Sequence, residues 1–169
     1  ASWRRLVQKF GSPAPGPAPE GMKVMPDAQA LAAIPSWEWH ALGIGPERYR
    51  TLQACSRVAQ QLERLSTGDR AAFYRGLTSI PGVGIWTAAE VGGRALGDAD
   101  AVPFGDYHLQ AVAGMGLRGQ PFNSDSEVAE ALEPFAPHRF RVLRLVSLSP
   151  MAPIERHGPR MSRTDYRRL

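Results

Sequence analysis

The chain has 169 residues, 43% of them hydrophobic, and a formal net charge of +4 from 20 Lys and Arg against 16 Asp and Glu. This length and composition exclude a disordered tail and predict a buried core, in one compact domain or in two small lobes. No apolar run approaches the roughly 20 residues that a membrane helix needs, and no charged-then-apolar leader opens the sequence. We therefore expect a cytoplasmic or nucleoid location and no membrane partner.

Arginine dominates the basic residues, since only Lys9 and Lys23 are lysines. The planar guanidinium suits phosphate oxygens, so this bias favours nucleic acid as a partner, although a GC-rich genome produces the same bias. Basic residues outnumber acidic ones most clearly from Pro137 onward, at Arg139, Arg141, Arg144, Arg156, Arg160, Arg163, Arg167 and Arg168.

The single cysteine, Cys55, limits the cofactors and cross-links available to the chain. It cannot form an internal disulfide, and it cannot supply the four thiolates of an iron–sulfur cluster. We expect no such cluster and interpret Cys55 as a small core residue.

The first half of the chain predicts short helices joined by connectors. Apolar spacing predicts a helix up to Phe10 that is cut off at its start, which indicates an N-terminal truncation. A proline-rich linker over 12–20 and a short helix over 26–34 follow. Trp37 and Trp39 then fall on a predicted turn, where core packing is favoured over a base-stacking platform or a wedge into stacked bases. The segment 46–65 predicts the longest helix.

The second half predicts two helices, over 70–77 and 85–96, on either side of a glycine-rich turn. A loop over 97–106 follows, in which Asp98 and Asp100 are expected to be solvated. Helices are then predicted over 107–117, between 123 and 135, and from 137 onward. Beyond residue 150 we expect an irregular surface segment.

The turn Pro81-Gly82-Val83-Gly84 is the most informative stretch. Its glycines permit a sharp bend, and the N–H groups around Gly82, Gly84 and Ile85 could converge on a phosphate at the start of a helix. The alternative is an αα-hairpin in which the glycines only permit the turn.

Two segments together resemble a known superfamily. Ile80-Pro-Gly-Val-Gly-Ile-Trp-Thr-Ala88, followed by Val102-Pro-Phe-Gly-Asp-Tyr-His-Leu-Gln110, resembles the helix-hairpin-helix DNA glycosylases, and within them the 3-methyladenine DNA glycosylase II branch. The resemblance implies an all-α domain of about eight helices. It also implies two lobes, with the hairpin lobe at about 24–117 and residues 1–11 and 121–150 forming the other.

The resemblance implies a monofunctional glycosylase that excises alkylated purines during base excision repair. Asp106, which ordinary sequence analysis treats as a helix N-cap worth about 1 kcal/mol, matches the catalytic aspartate. Trp86 stands where lyase-competent relatives place a lysine, so the reaction should stop at an abasic site. The implied base pocket comprises Trp86, Tyr107, Glu90 and His138; Glu90 and His138 depart from the aromatic residues of the best-known member.

Double-stranded DNA with a damaged base is the implied partner, bound by a monomer. The implied DNA contacts are Gly82, Val83, Gly84, Ile85 and Thr87, and the backbone carbonyls of Thr78, Ile80 and Val83 could hold a sodium or potassium ion. No other cofactor is expected. Two alternatives remain: a non-catalytic DNA-binding helix-hairpin-helix module, and a glycosylase for mismatched or oxidised bases, which Trp86 and the single cysteine disfavour.

Overall fold

The computed structural model describes residues 2–149, and this part of the chain is helical, with one isolated antiparallel bridge and no strand. The predicted all-α class is confirmed. The helices are α1 Ser2–Phe10, α2 Ala28–Ala33, α3 Ser36–Ala41, α4 Pro46–Arg57, α5 Ala59–Ser66, α6 Arg70–Thr78, α7 Ile85–Ala95, α8 Leu109–Arg118, α9 Asp125–Leu132 and α10 Arg139–Leu148, with a 3-10 helix at Glu133–Phe135. The segment predicted beyond residue 150, with its arginines, lies outside the described residues. None of the described helices has the length and apolar character needed to cross a membrane.

The chain divides into two compact units, Ala1–Gly84 and Ile85–Leu169. This division differs from the lobes expected from the sequence, which grouped α1 with the helices after residue 121. The difference has a physical cause in the first unit, because Leu6 of α1 is fully buried there. Leu6 packs in one cluster with Leu31, Ile34, Trp39 and Leu42.

Trp39 organises the core of the first unit. Its side chain is fully buried, and its indole N–H donates to the carbonyl of Ile34 at 3.1 Å. The expectation of core packing is confirmed for Trp39, whereas Trp37 is 70% exposed. The predicted turn around these residues is wrong: they lie on α3, which follows Pro35 and turns Trp39 inward.

The predicted long helix over 46–65 is interrupted at Val58, where φ is −110° and ψ is 14°. The Ser56 hydroxyl donates to the carbonyl of Leu52 at 2.8 Å, a local bond that bends helices. The break separates two packing surfaces, since α4 packs on α2 and α3 while α5 packs on α6. Cys55 is only half-buried, and burial raises the pKa of its thiol.

The proline-rich linker is tied back to the chain that follows it. Pro13 and Lys23 form the isolated bridge, in which Ala14 N–H donates to Met22 at 2.9 Å and Val24 N–H donates to Ser12 at 2.9 Å. The linker therefore forms a closed loop against residues 22–24 and is not the free polyproline spacer that its composition predicted.

The second unit has its own apolar core, with α8 packed on both α9 and α10. The fully buried Ala113, Val128 and Leu132 lie at its centre. Its buried residues are Val102, Leu109, Ala113, Phe122, Val128, Leu132 and Leu143. The loop 97–106 joins this core through Val102, so the segment before Asp106 is anchored by packing.

The prediction that Asp98 and Asp100 are solvated is wrong. Asp98 is 6% exposed, and its carboxylate accepts the N–H of Asp100 at 3.0 Å. Arg139, at the start of α10, forms a bidentate ion pair with Asp100, including Nε to Oδ1 at 2.7 Å. Its backbone N–H donates to the same carboxylate at 3.1 Å, and the N–H of Phe140 donates to the carbonyl of Ala99 at 2.8 Å. The loop therefore satisfies the first amides of α10.

We expect Asp100→Asn to lower the free energy of unfolding by about 1–2 kcal/mol at neutral pH, because it removes the charge from a partly exposed bidentate pair. The bonds from Arg139 lower the pKa of Asp100. The charge of Asp100 therefore contributes its full stabilisation at pH values above the ordinary carboxyl pKa, and this stabilisation is lost as the pH falls through the lowered pKa. Urea unfolding of both proteins at pH 7 and in acid checks this. If the difference in free energy of unfolding between wild type and Asp100→Asn did not shrink in acid, the pairing would be contradicted.

Candidate functional site

Gly82 gives the turn after α6 its shape. Its φ is +88°, a conformation that side chains with a Cβ rarely adopt. A Cβ at this position would also overlap the hydroxyl of Thr51, which donates to the carbonyl of Pro81 at 3.3 Å. Ile80 and Val83 are buried on either side of Pro81 and Gly82. The turn is thus fixed by side chains of its own unit.

Gly84 differs from Gly82 both in its φ and in the space available to a side chain. Its φ is not positive, and no atom would lie within 4 Å of a Cβ built there. Within residues 2–149, no acceptor is hydrogen-bonded to the N–H groups of Gly82, Gly84 or Ile85. Nothing in the described fold requires a glycine at position 84. A group from outside the protein that contacted the backbone closely would require one, because a side chain would block its approach.

The division between the two units falls between Gly84 and Ile85, within the predicted DNA-binding segment. In the second unit, α7 begins at Ile85, as predicted, and the side chain of Ile85 is 70% exposed. Thr87 is half-buried on the same helix. The structure therefore leaves the predicted contact residues Gly82, Gly84 and Ile85 at the surface, and buries the side chain of Val83.

Asp106 is half-buried in the second unit, with both carboxylate oxygens hydrogen-bonded. The indole N–H of Trp86 donates to Oδ2 at 2.9 Å, and the backbone N–H of His108 donates to Oδ1 at 2.7 Å. The predicted N-cap role is wrong, because α8 begins at Leu109 and His108 is its N-cap. Asp106 instead closes a turn one step earlier, where its carbonyl accepts the N–H of Leu109 at 3.2 Å.

The backbone immediately before Asp106 is braced from α9. Gly105 has a φ of +84°, and its N–H donates to Oδ2 of Asp125 at 2.7 Å. The other oxygen of Asp125 accepts from the side chain of Gln110 at 3.1 Å. A carboxylate on a neighbouring helix therefore fixes the peptide that directs Asp106.

A cleft in the second unit has Asp106 on its wall. Its apolar lining residues are Pro103, Leu109, Val112, Phe140 and Leu143, and its polar ones are Glu90, Arg94, Asp106, His108, Arg144 and Ser147. An apolar cleft with a few polar groups suits a flat, partly polar ring. Asp106 and Glu90, which the sequence placed in one site, do line the same cleft.

The remaining predicted pocket residues lie at different places. Trp86 is 44% exposed, and its indole N–H donates directly to Asp106. The two side chains are therefore in contact and are not separated by an open pocket. Tyr107 is 68% exposed and stands edge-on to His108, with ring centroids 4.9 Å apart. His138 is exposed at the start of α10, 3.3 Å from a guanidinium nitrogen of Arg141, and it does not line the cleft.

Sequence analysis missed Arg94, Arg144 and Asp125. Arg94 could have been found, because a basic residue four positions after Glu90 on a helix is a standard ion-pair spacing. Arg144 was noticed only as part of a basic segment. Asp125 carries no local signal, since its partner Gly105 lies 20 residues away.

The comparisons with known proteins bear on the fold of the chain. No family model matches the chain. A curated relative, a probable bifunctional transcriptional activator/DNA repair enzyme AlkA of Mycobacterium tuberculosis, is 34% identical over 111 residues, in each of two strains. That match covers 64% of this chain and 22% of the relative, so the chain spans less than a quarter of its length.

Among solved structures, the chain matches a Schizosaccharomyces pombe 3-methyladenine DNA glycosylase, Mag1, determined in complex with abasic DNA. The TM-score is 0.70 with 17% identity, over 86% of this chain and 68% of Mag1. The chain therefore has the helical fold of a DNA glycosylase. The resemblance to the 3-methyladenine DNA glycosylases, inferred from the hairpin and Asp106 segments, is confirmed.

The two glycines of the turn should respond differently to substitution. We expect Gly82→Val to lower the free energy of unfolding by about 3 kcal/mol or more, because of its positive φ and the overlap with Thr51. Gly84→Val should cost less than about 1 kcal/mol, since the added side chain enters open space. Urea unfolding of both variants measures the difference, and equal losses would contradict the turn described here.

Proposed function

We propose that this chain acts as a monofunctional DNA glycosylase that hydrolyses the N-glycosidic bond of alkylated purines, such as 3-methyladenine, in base excision repair. The observation that carries the proposal is the Asp106 carboxylate, held by two N–H donors on the wall of an apolar cleft. The confirmed glycosylase fold supports the same activity.

Excision of a base requires negative charge beside the sugar, because the N-glycosidic bond breaks through a cation-like sugar. A carboxylate about 4 Å from that cation, at an effective dielectric near 20, stabilises it by about 4 kcal/mol. This corresponds to roughly a thousandfold in rate. The same carboxylate can accept a proton from the attacking water, which completes hydrolysis. Its two hydrogen bonds leave it oriented before DNA arrives.

The base must leave the helix stack to reach the cleft, where apolar walls would hold its faces. An N-alkylated purine is already cationic and leaves readily, so the site depends less on a proton donor than on a carboxylate and a slot. Trp86 has no amine and cannot form a Schiff base with the sugar, so the product is an abasic site. Its indole N–H is engaged by Asp106.

Duplex DNA is the proposed partner of a monomer acting at the nucleoid. The unengaged N–H groups of Gly82 and Gly84 in the first unit would bind a phosphate. In the second unit, the N–H of Ile85 and the dipole of α7 would independently favour one. A sodium or potassium ion on the carbonyls of Thr78, Ile80 and Val83 would add positive charge near that phosphate. The carbonyl of Ile80 already accepts the N–H of Val83 at 3.0 Å, which leaves one lone pair for a cation.

A second function, a DNA-binding module without catalysis, has one observation in its favour. The bond from the His108 amide to Oδ1 gives Asp106 a local structural role that needs no chemistry. The two functions differ in what the negative charge of Asp106 does once a damaged base is bound.

Asp106→Asn tests this difference, because Asn keeps the shape and an acceptor for the His108 amide while removing the charge and the acceptor for the Trp86 indole. We expect single-turnover release of methylated purines to slow by about a hundredfold or more, with near-normal folding and DNA binding. Released base is measured by chromatography, beside thermal unfolding of the same protein.

Asp27→Asn is the matched control. Asp27 caps α2 by accepting the N–H of Ala30 at 2.7 Å, so the same substitution there alters a cap and no cleft residue. Because Asn caps helices about as well as Asp, the control should keep both its stability and its excision rate. Excision by Asp106→Asn as fast as by the control would reject the glycosylase mechanism.

Gly84→Val tests the phosphate contact. We expect affinity for duplex DNA containing an abasic-site analogue to fall about tenfold for every sequence alike, because the side chain blocks close approach to the backbone. The dependence of log affinity on log salt should change little, because that slope reports phosphates neutralised by Lys and Arg, whereas the contact at position 84 is a neutral backbone N–H. Fluorescence anisotropy over a salt series measures both. An unchanged affinity would remove position 84 from the interface.

A further inference from the structure

Glu90 and Arg94 form an ion pair on successive turns of α7, and both residues line the cleft that contains Asp106. The two sides of the pair are not equally exposed. The Glu90 side chain is 25% exposed, whereas that of Arg94 is 64% exposed. The carboxylate is therefore the part of the pair held within the protein, and the guanidinium covers it from the solvent side.

The hydrogen bonds to Glu90 fall on one oxygen. Nε of Arg94 donates to Oε2 at 2.7 Å, and Nη2 lies 2.6 Å from the same atom. Oε1 has no hydrogen-bond donor among residues 2–149. The pair thus fixes the direction of the carboxylate and leaves one strong acceptor for a group bound in the cleft.

We propose that Glu90 is a specificity-determining residue, whose Oε1 accepts a hydrogen bond from the exocyclic amino group of an adenine-type base in the cleft. This inference rests on the proposed glycosylase function and narrows its substrate class. An alkylated adenine carries an amino donor at its 6 position, whereas an alkylated guanine carries a carbonyl acceptor there.

The discrimination follows from the chemistry of the two acceptors. A carboxylate oxygen facing a carbonyl oxygen gains no hydrogen bond and keeps a desolvated charge. Arg94 contributes by orienting Glu90, because its Nε–H donates to Oε2 and its Nη2 forms an ion pair with the same oxygen. Leu109 and Phe140 also line the cleft and supply no donor, whereas Arg144 and Ser147 do, so the preference requires that Glu90 meets the 6 position of the bound base.

DNA treated with a methylating agent provides the test, since it contains 3-methyladenine and 7-methylguanine in one preparation. The two bases compete for the same enzyme, so the ratio of their release rates, corrected for release without enzyme, measures selectivity directly. We expect the wild type to favour 3-methyladenine by at least about tenfold beyond the ratio of the enzyme-free rates.

Glu90→Gln should reduce that preference about tenfold, because the amide can rotate to offer an N–H to the guanine carbonyl. Arg94→Met should reduce it as well, by releasing the carboxylate. Glu130→Gln, the same change on an exposed residue of α9, should leave the ratio unchanged.

Three outcomes are distinguishable. A ratio that falls in both cleft variants and not in Glu130→Gln supports the assignment. Measurable release with the same ratio in wild type and Glu90→Gln overturns it while leaving the glycosylase function intact. Wild-type release of neither base above the enzyme-free rate overturns the proposed function, and the specificity inference with it.

Discussion

The pairing of Asp100 with Arg139 is the constraint on which the candidate site depends. The loop between α7 and α8 has no repeating backbone bonds to hold it, so its position is set by side chains and by packing of Val102. Arg139 joins this loop to the start of α10 through its guanidinium and its amide. The loop in turn supplies acceptors that the first turn of a helix lacks. One contact thus stabilises the helix and positions the segment that leads to Asp106.

Asp106 itself is positioned from three directions. Trp86 holds one carboxylate oxygen, the His108 amide holds the other, and Asp125 fixes the preceding peptide. The two donors come from α7 and from the turn before α8, and the third contact comes from α9, where the carboxylate of Asp125 accepts the N–H of Gly105. In the proposed reaction, such fixation would reduce the reorganisation required when positive charge develops on the sugar. A local sequence pattern predicts only a cap or a turn at Asp106, whereas the structure shows three contacts that fix its position.

Local patterns in the sequence predicted much of the fold. Apolar spacing and caps identified α6 and α7 nearly to the residue, since both depend on neighbouring positions. The break at Val58 was missed because apolar spacing continues through it, although a hydroxyl bond from Ser56 to Leu52 lies just before it. Asp100 was misassigned because Arg139, its partner, lies 39 residues away, beyond any local pattern. Asp106 and Glu90 were placed in one site through resemblance, and Arg94 was accessible from its i+4 spacing to Glu90, whereas Arg144 and Asp125 were placed by the structure.

The hydrogen bond between Trp86 and Asp106 also makes the fluorescence of Trp86 sensitive to what binds the carboxylate. An indole that is 44% exposed and hydrogen-bonded to a charged oxygen emits according to the polarity and charge around it. Any molecule that enters the cleft and engages Asp106 changes that surrounding directly, whereas Trp39 is sealed in the other unit and provides a constant signal. With Trp3 and Trp37 replaced by phenylalanine to remove exposed emitters, occupancy of the carboxylate could be followed in real time without a label.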